Sequence, residues 1–149
     1  MEQYIGTKIV HAEPVVKLQG IMYSEGEIVP RTKDAKYSYK VQYPDGYVSW
    51  CPKEAFEEAY RPADGMPFGL AIEAAKKGKK IARRGWNGKS QYVELAYCIS
   101  YKNHAAEVIN ANHCNIGNRA LAFVGTSGVQ LGWLASQADM LADDWYIVE

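Results

Sequence analysis

Apolar and polar residues alternate from Tyr37 to Val41 and again from Tyr47 to Trp50, on either side of Tyr43-Pro44-Asp45-Gly46. This period-two pattern around a proline and a glycine predicts a β-hairpin. Pro52 is suited to a first helical turn, and Phe56, Ala59 and Tyr60 supply an apolar stripe, so a short helix is expected over Lys53 to Arg61. Cys51 stands where a serine or threonine cap would strengthen that start. The Arg61–Pro67 segment, RPADGMP, has linker chemistry, and it divides the chain into an expected N-terminal domain, 1–62, and a C-terminal domain, 67–149. Downstream, Phe68, Ile72 and Ala75 recur at helical spacing up to Gly78, a glycine able to take the left-handed cap conformation. Strands are then expected at Lys80 to Trp86, Gln91 to Ile99, Ala120 to Val124, Val129 to Trp133 and Trp145 to Val148. Between Ser100 and Arg119 the pattern dissolves into an asparagine-rich excursion, with one helical turn expected near Ala105 to Ile109. The fold class read from this order is α+β: a C-terminal two-layer domain of a helix on an antiparallel sheet, preceded by a small β-hairpin-plus-helix domain.

Composition changes this picture little. With 149 residues, 48% apolar and 23% charged, the chain is an ordinary globular one and neither disordered nor a coiled-coil rod. No apolar run is long enough to span a bilayer and no secretory leader is visible, so no membrane partner is expected. Three cysteines, Cys51, Cys98 and Cys114, lack CxxC spacing and read as reduced thiols.

Charge is more informative in its distribution than in its sum. Seventeen basic and seventeen acidic residues cancel. Lys76, Lys77, Lys79, Lys80, Arg83, Arg84 and Lys89 nevertheless form a run without an acid, and beyond Arg119 only acids occur: Asp139, Asp143, Asp144 and Glu149.

Three constellations carry possible chemistry. In Arg83-Arg84-Gly85-Trp86-Asn87-Gly88-Lys89, strand periodicity puts Arg84 and Trp86 on one face and Arg83 with Ile81 on the other. Asn87-Gly88 is a hairpin-turn signal, which explains the segment structurally; the functional reading is a phosphate and base site of guanidinium, stacking indole and free amides. Ser136 with Asp139 reads as a capping box, while Asp139 and Asp143 on one helical face could serve as paired carboxylates. His104, His113 and Cys114 lack a fourth ligand at zinc spacing and read as loop residues.

FGLAIEAAKKGKKIARRGWNGK, Phe68 to Lys89, followed by GWLASQADMLADDWYIVE at the carboxyl end, resembles a bacteriophage family whose characterised members are the second type of Thoeris anti-defence protein. The resemblance implies a non-enzymatic sponge in the infected host's cytoplasm. Such a protein is a homo-oligomer, usually a tetramer, that binds a cyclic ADP-ribose isomer and withholds it from its effector. Some members also hold cyclic dinucleotides at a separate site, and no cofactor is needed. Carried over by motif position, Arg84, Trp86, Asn87 and Lys89 would meet phosphates and base. Ser136, Gln137, Asp139, Asp143 and Trp145 would meet ribose and adenine or shape the pocket. The runner-up reading is a nucleic-acid-binding module using the Lys76 to Lys89 cations, and the third is a metal-assisted hydrolase using Asp139, Asp143 and Asp144. The N-terminal YPDGYVSWCPKEAFEEAY run resembles a segment found at the start of various phage proteins and carries no assigned activity.

Overall fold

The computed structural model describes residues 1–24, 27, 35–86, 90–109 and 119–149. They form two compact units, Met1–Arg61 and Pro62–Glu149, and the class is α+β with antiparallel sheets throughout. Among the described residues no helix is long and apolar enough to cross a membrane.

The first unit holds β1 (His11–Leu18), β2 (Ile21–Ser24), β3 (Lys36–Gln42), β4 (Val48–Pro52) and helix α1 (Lys53–Ala59). Its sheet has the order β2-β1-β3-β4. The predicted hairpin is β3–β4, closed by Gly46 N–H on Tyr43 O at 2.9 Å and Tyr47 N–H on Asp45 Oδ1 at 3.0 Å. α1 packs on it through Phe56, whose ring lies 4.2 Å from Tyr39 and 4.8 Å from Tyr60. Strands β1 and β2 were not expected. β1 buries only Val15 and Leu18 and contains Pro14, so its alternation is weak in sequence. Pro14 is tolerated because β2 pairs with β1 only from Val15 onward, which leaves a local edge where no N–H is required.

In the second unit, α2 (Phe68–Lys76) packs on one face of a five-stranded sheet. Its strands are β5 (Lys80–Arg83), β6 (Tyr92–Tyr97), β9 (Arg119–Gly125), β10 (Gly128–Leu131) and β11 (Trp145–Val148), in the order β10-β9-β6-β5-β11. Ala71, Ala74 and Ala75 give the helix a smooth face that sits close on Ile81, Val93 and Trp145. Gly78, at φ +84°, turns the chain from α2 into β5 at a backbone angle that other residues adopt only with strain. The last strand returns beside β5, and Met66 and Trp145 exchange backbone hydrogen bonds of 2.7 and 3.1 Å.

Two expectations are corrected here. The helical turn near Ala105 to Ile109 is instead the tip and second strand of a hairpin, β7 (Tyr101–Lys102) and β8 (Val108–Ile109). Asn103 Oδ1 accepts from Glu107 N–H at 2.9 Å, and that local bond favours a turn over a helix. Cys51 is a free thiol, but Cys98 is in a disulfide; spacing along the chain carries no mark of cysteines paired through space. Residues 110–118, with His113, Cys114 and four of the asparagines, lie outside the described residues.

Candidate functional site

Arg83 is the last residue of β5 and lies across from Trp145 in β11, on the sheet face that α2 covers. A guanidinium at that position is only 18% exposed and needs fixed acceptors. The acid-only tail supplies them: Nε donates to Asp144 Oδ1 at 2.8 Å and Nη1 to Asp139 Oδ1 at 2.9 Å. Asp139 is placed by the one-turn helix α3 (Gln137–Met140), whose capping box is formed in both directions. Ser136 Oγ accepts from Asp139 N–H at 3.1 Å, while Asp139 Oδ2 accepts from Ser136 Oγ at 2.8 Å and from Ser136 N–H at 3.1 Å. Asp139 Oδ1 also accepts from Trp86 Nε1 at 3.2 Å. Both oxygens of this carboxylate are therefore engaged within the protein.

Burial on its own would raise the pKa of Asp139. Hydrogen bonds from Arg83, Trp86 and Ser136 outweigh it and hold the carboxyl at about 2, against an ordinary 3.8. Asp144 is lowered too, chiefly by the Arg83 hydrogen bond and also by Gly85 N–H, against a smaller opposing effect of burial. Arg83 is raised by the same two carboxylates, Asp144 first. Because Asp139 stays ionised to lower pH when folded, its contribution is complete above the unfolded value and drains away as pH falls toward about 2. We expect Asp139→Asn to lower stability by about 2 kcal/mol at neutral pH. The gap from wild type should close between pH about 4 and about 2, as read by tryptophan fluorescence during urea unfolding; a pH-independent gap would show that ionisation of Asp139 contributes nothing.

Around this ion network stands an aromatic cluster. The Trp86 ring lies 5.3 Å from Trp145, 5.4 Å from Phe123 and 6.0 Å from Trp133, edge-on to each. Trp145 is fully buried, and its Nε1 donates to the Asp139 carbonyl at 2.9 Å. It can shape a pocket but has no surface to offer a ligand.

The remaining predicted residues separate. Strand β5 ends at Arg83, and a turn with Trp86 N–H on Arg83 O at 3.3 Å redirects the backbone. Arg84 and Trp86 therefore do not share a face, contrary to the strand periodicity. Trp86 joins the cluster on the α2 side, whereas Arg84 lies 4.6 Å over the ring of Tyr146 and donates through Nε to Asp64 O at 3.2 Å. Ser136, Gln137 and Asp143 are exposed. Asn87 and Lys89 lie outside the described residues. The structure thus joins Trp86, Ser136, Asp139 and Trp145 in one network and places Arg84, Gln137 and Asp143 at the surface.

Arg83 and Asp144 hold this corner together; Arg83 is absent from the expected site residues, and Asp144 enters them only as a carboxylate of the hydrolase reading. A signal existed: a cation on the same strand face as core Ile81 requires a carboxylate, and beyond Arg119 the chain is rich in unpaired acids.

Residues 66–148 match the Thoeris anti-defense 2-like domain. A Bacillus phage SP01 protein named Thoeris anti-defense 2 is 36% identical over 88 residues, a stretch that covers 56% of this chain and 94% of the relative. The matched span contains α2, the five-stranded sheet and the whole Arg83–Asp139–Asp144 network, so the chain belongs to the Thoeris anti-defense 2-like family.

Proposed function

We propose that this chain is a phage anti-defence sponge, which captures a cyclic ADP-ribose isomer of the Thoeris system and releases it chemically unchanged. The observation that carries this reading is the family match across the unit that holds the ion network. The ligand combines a pyrophosphate, an adenine and ribose hydroxyls. Arg83, Asp139 and Asp144 together carry one net negative charge, so the corner itself repels phosphate. We assign phosphate to Arg84: its Nη groups have no hydrogen-bond partner among the described residues, and Tyr146 supports the guanidinium from below. The partly exposed Trp86 supplies a stacking face on the other side of the turn from Arg84, so the ligand has to reach around that turn, and the exposed Gln137 and Asp143 supply acceptors for hydroxyls.

In this reading the protein is a homo-oligomer. Val129, Val124 and Tyr92 form a row across β10, β9 and β6 on the sheet face away from α2, beside Leu131; Val129 is 64% and Leu131 46% exposed. We assign this face to a second copy of the chain. Sedimentation of Leu131→Glu should show a smaller species than wild type, and an unchanged species would move the interface elsewhere.

The alternatives are weaker for stated reasons. Among the described residues the Lys76 to Lys89 run does not form one free basic strip, since Lys76 pairs with Glu73 at 3.0 Å, Lys80 lies over Tyr92, and Arg83 is held by two carboxylates. Asp139 and Asp144, wanted by a metal-assisted hydrolase, are the same carboxylates. Titration calorimetry with a cyclic ADP-ribose isomer should give tight binding, with intact ligand recovered after heat denaturation. Absence of heat, or recovery of a cleaved product, overturns the sponge reading; strongly salt-dependent binding of DNA in its place would favour the nucleic-acid reading.

A further inference from the structure

Arg83 does something that neither of its neighbours can do. Its guanidinium is a planar fork, and the fork spans two carboxylates delivered by different elements: Asp139 from α3 and Asp144 from the approach to β11. Each carboxylate in turn reaches the turn just beyond β5. Asp144 Oδ2 accepts from Gly85 N–H at 2.9 Å, and Asp139 Oδ1 accepts from the Trp86 indole at 3.2 Å. The backbone of Arg84 adds a third tie, donating to Asp144 O at 3.2 Å. Both the Asp144 and the Arg83 side chain come close to the turn backbone. A Cβ at Gly85 would stand 3.0 Å from Asp144 Oδ2 and 3.3 Å from Arg83 Nη2. The stretch Arg84–Trp86 is therefore fixed not by the β5 ladder, which has ended, but by two acids that Arg83 holds in place.

We propose that Arg83 is the positioning residue of the candidate site: it bridges Asp139 and Asp144 and so sets the place of the Arg84–Trp86 turn, and ligand affinity depends on it without its guanidinium touching the ligand. The proposal rests on the sponge reading for its ligand and on the hydrogen-bond geometry for its mechanism. Lysine at 83 keeps the charge but is a point donor, able to serve one carboxylate well and not two. Methionine keeps much of the length and loses both bonds, leaving two like charges facing each other.

The test uses the full chain with Arg83→Lys and Arg83→Met, at a temperature where circular dichroism shows each variant folded. Two quantities are read. One is hydrogen exchange at the Trp86 indole N–H and the Gly85 amide, by NMR; the other is the Kd for a cyclic ADP-ribose isomer. For Arg83→Met, both exchange rates and the Kd should rise about tenfold or more relative to wild type, with Arg83→Lys intermediate in both. A merely structural role would lower the melting temperature and leave the Kd of the folded variant unchanged. Folded Arg83→Met with wild-type exchange at both groups, or with wild-type Kd, overturns the proposal. Should Arg83→Met fail to fold, Arg83→Lys carries the test, and wild-type exchange at both groups or wild-type Kd in that variant is equally contradictory. If wild type itself binds no nucleotide, the sponge reading falls, and the exchange rates alone then decide whether Arg83 sets the turn.

Discussion

Trp145→Ala is expected to give the largest loss of stability in the C-terminal unit, about 3–5 kcal/mol. The side chain has no exposed surface and touches Phe68 at a ring distance of 5.4 Å, Trp86 at 5.3 Å and Trp133 at 6.2 Å. Its removal leaves a cavity that three rigid rings cannot collapse into, and aromatic-to-alanine changes at such sites cost about 3–5 kcal/mol. The indole bond to the Asp139 carbonyl goes with it, so α3 loses its tether to the core. Against a marginal stability of about 5–15 kcal/mol that loss is a large fraction of the total. Urea unfolding followed by near-ultraviolet circular dichroism should show the midpoint collapse; a midpoint within a few tenths molar of wild type would mean that the aromatic cluster is not the core of this unit.

The second large effect is expected from Asp139→Ala, at about 3 kcal/mol. One carboxylate here serves Arg83, Trp86 and both the backbone and the hydroxyl of Ser136. Its loss leaves a guanidinium that is only 18% exposed with Asp144 as its one remaining carboxylate and removes the capping box of α3, itself worth about 1 kcal/mol. Asp143→Ala should cost a few tenths of a kcal/mol at most, because that side chain is exposed and is not part of the network. The pair forms an internal control: the two aspartates are one helical turn apart in sequence and differ in what holds them. Equal losses for the two variants, read from chemical denaturation, would contradict the assignment of Asp139 to the network.

Elements with strong local signals were legible in the sequence. α2 ends one residue beyond its apolar stripe, β11 has its expected bounds, and the Ser136–Asp139 box forms in both directions. Pairings made through space left weaker traces. β1 hides behind Pro14 and a mostly exposed burial pattern, and the disulfide at Cys98 has no local motif. The site shows the same division. Trp86 and Asp139 were readable as important because indole and carboxylate are conspicuous, but their bond to each other spans 53 positions of chain. The partners of Arg83 are not written in the local pattern: period-two alternation extends the strand to Trp86, whereas the strand stops at Arg83, whose guanidinium bonds Asp144 across 61 positions of chain.

Capture without turnover makes a stoichiometric demand, and titrating a fixed amount of signal tests it most directly. A sensor-made cyclic ADP-ribose isomer is mixed with increasing amounts of this protein, and free signal is measured at early and late times and again after heating. The account predicts that free signal falls linearly to zero at one equivalent of binding sites, does not change with time, and returns intact on denaturation. Signal that vanishes progressively under substoichiometric protein, or that persists beside a large excess of it, would contradict the account.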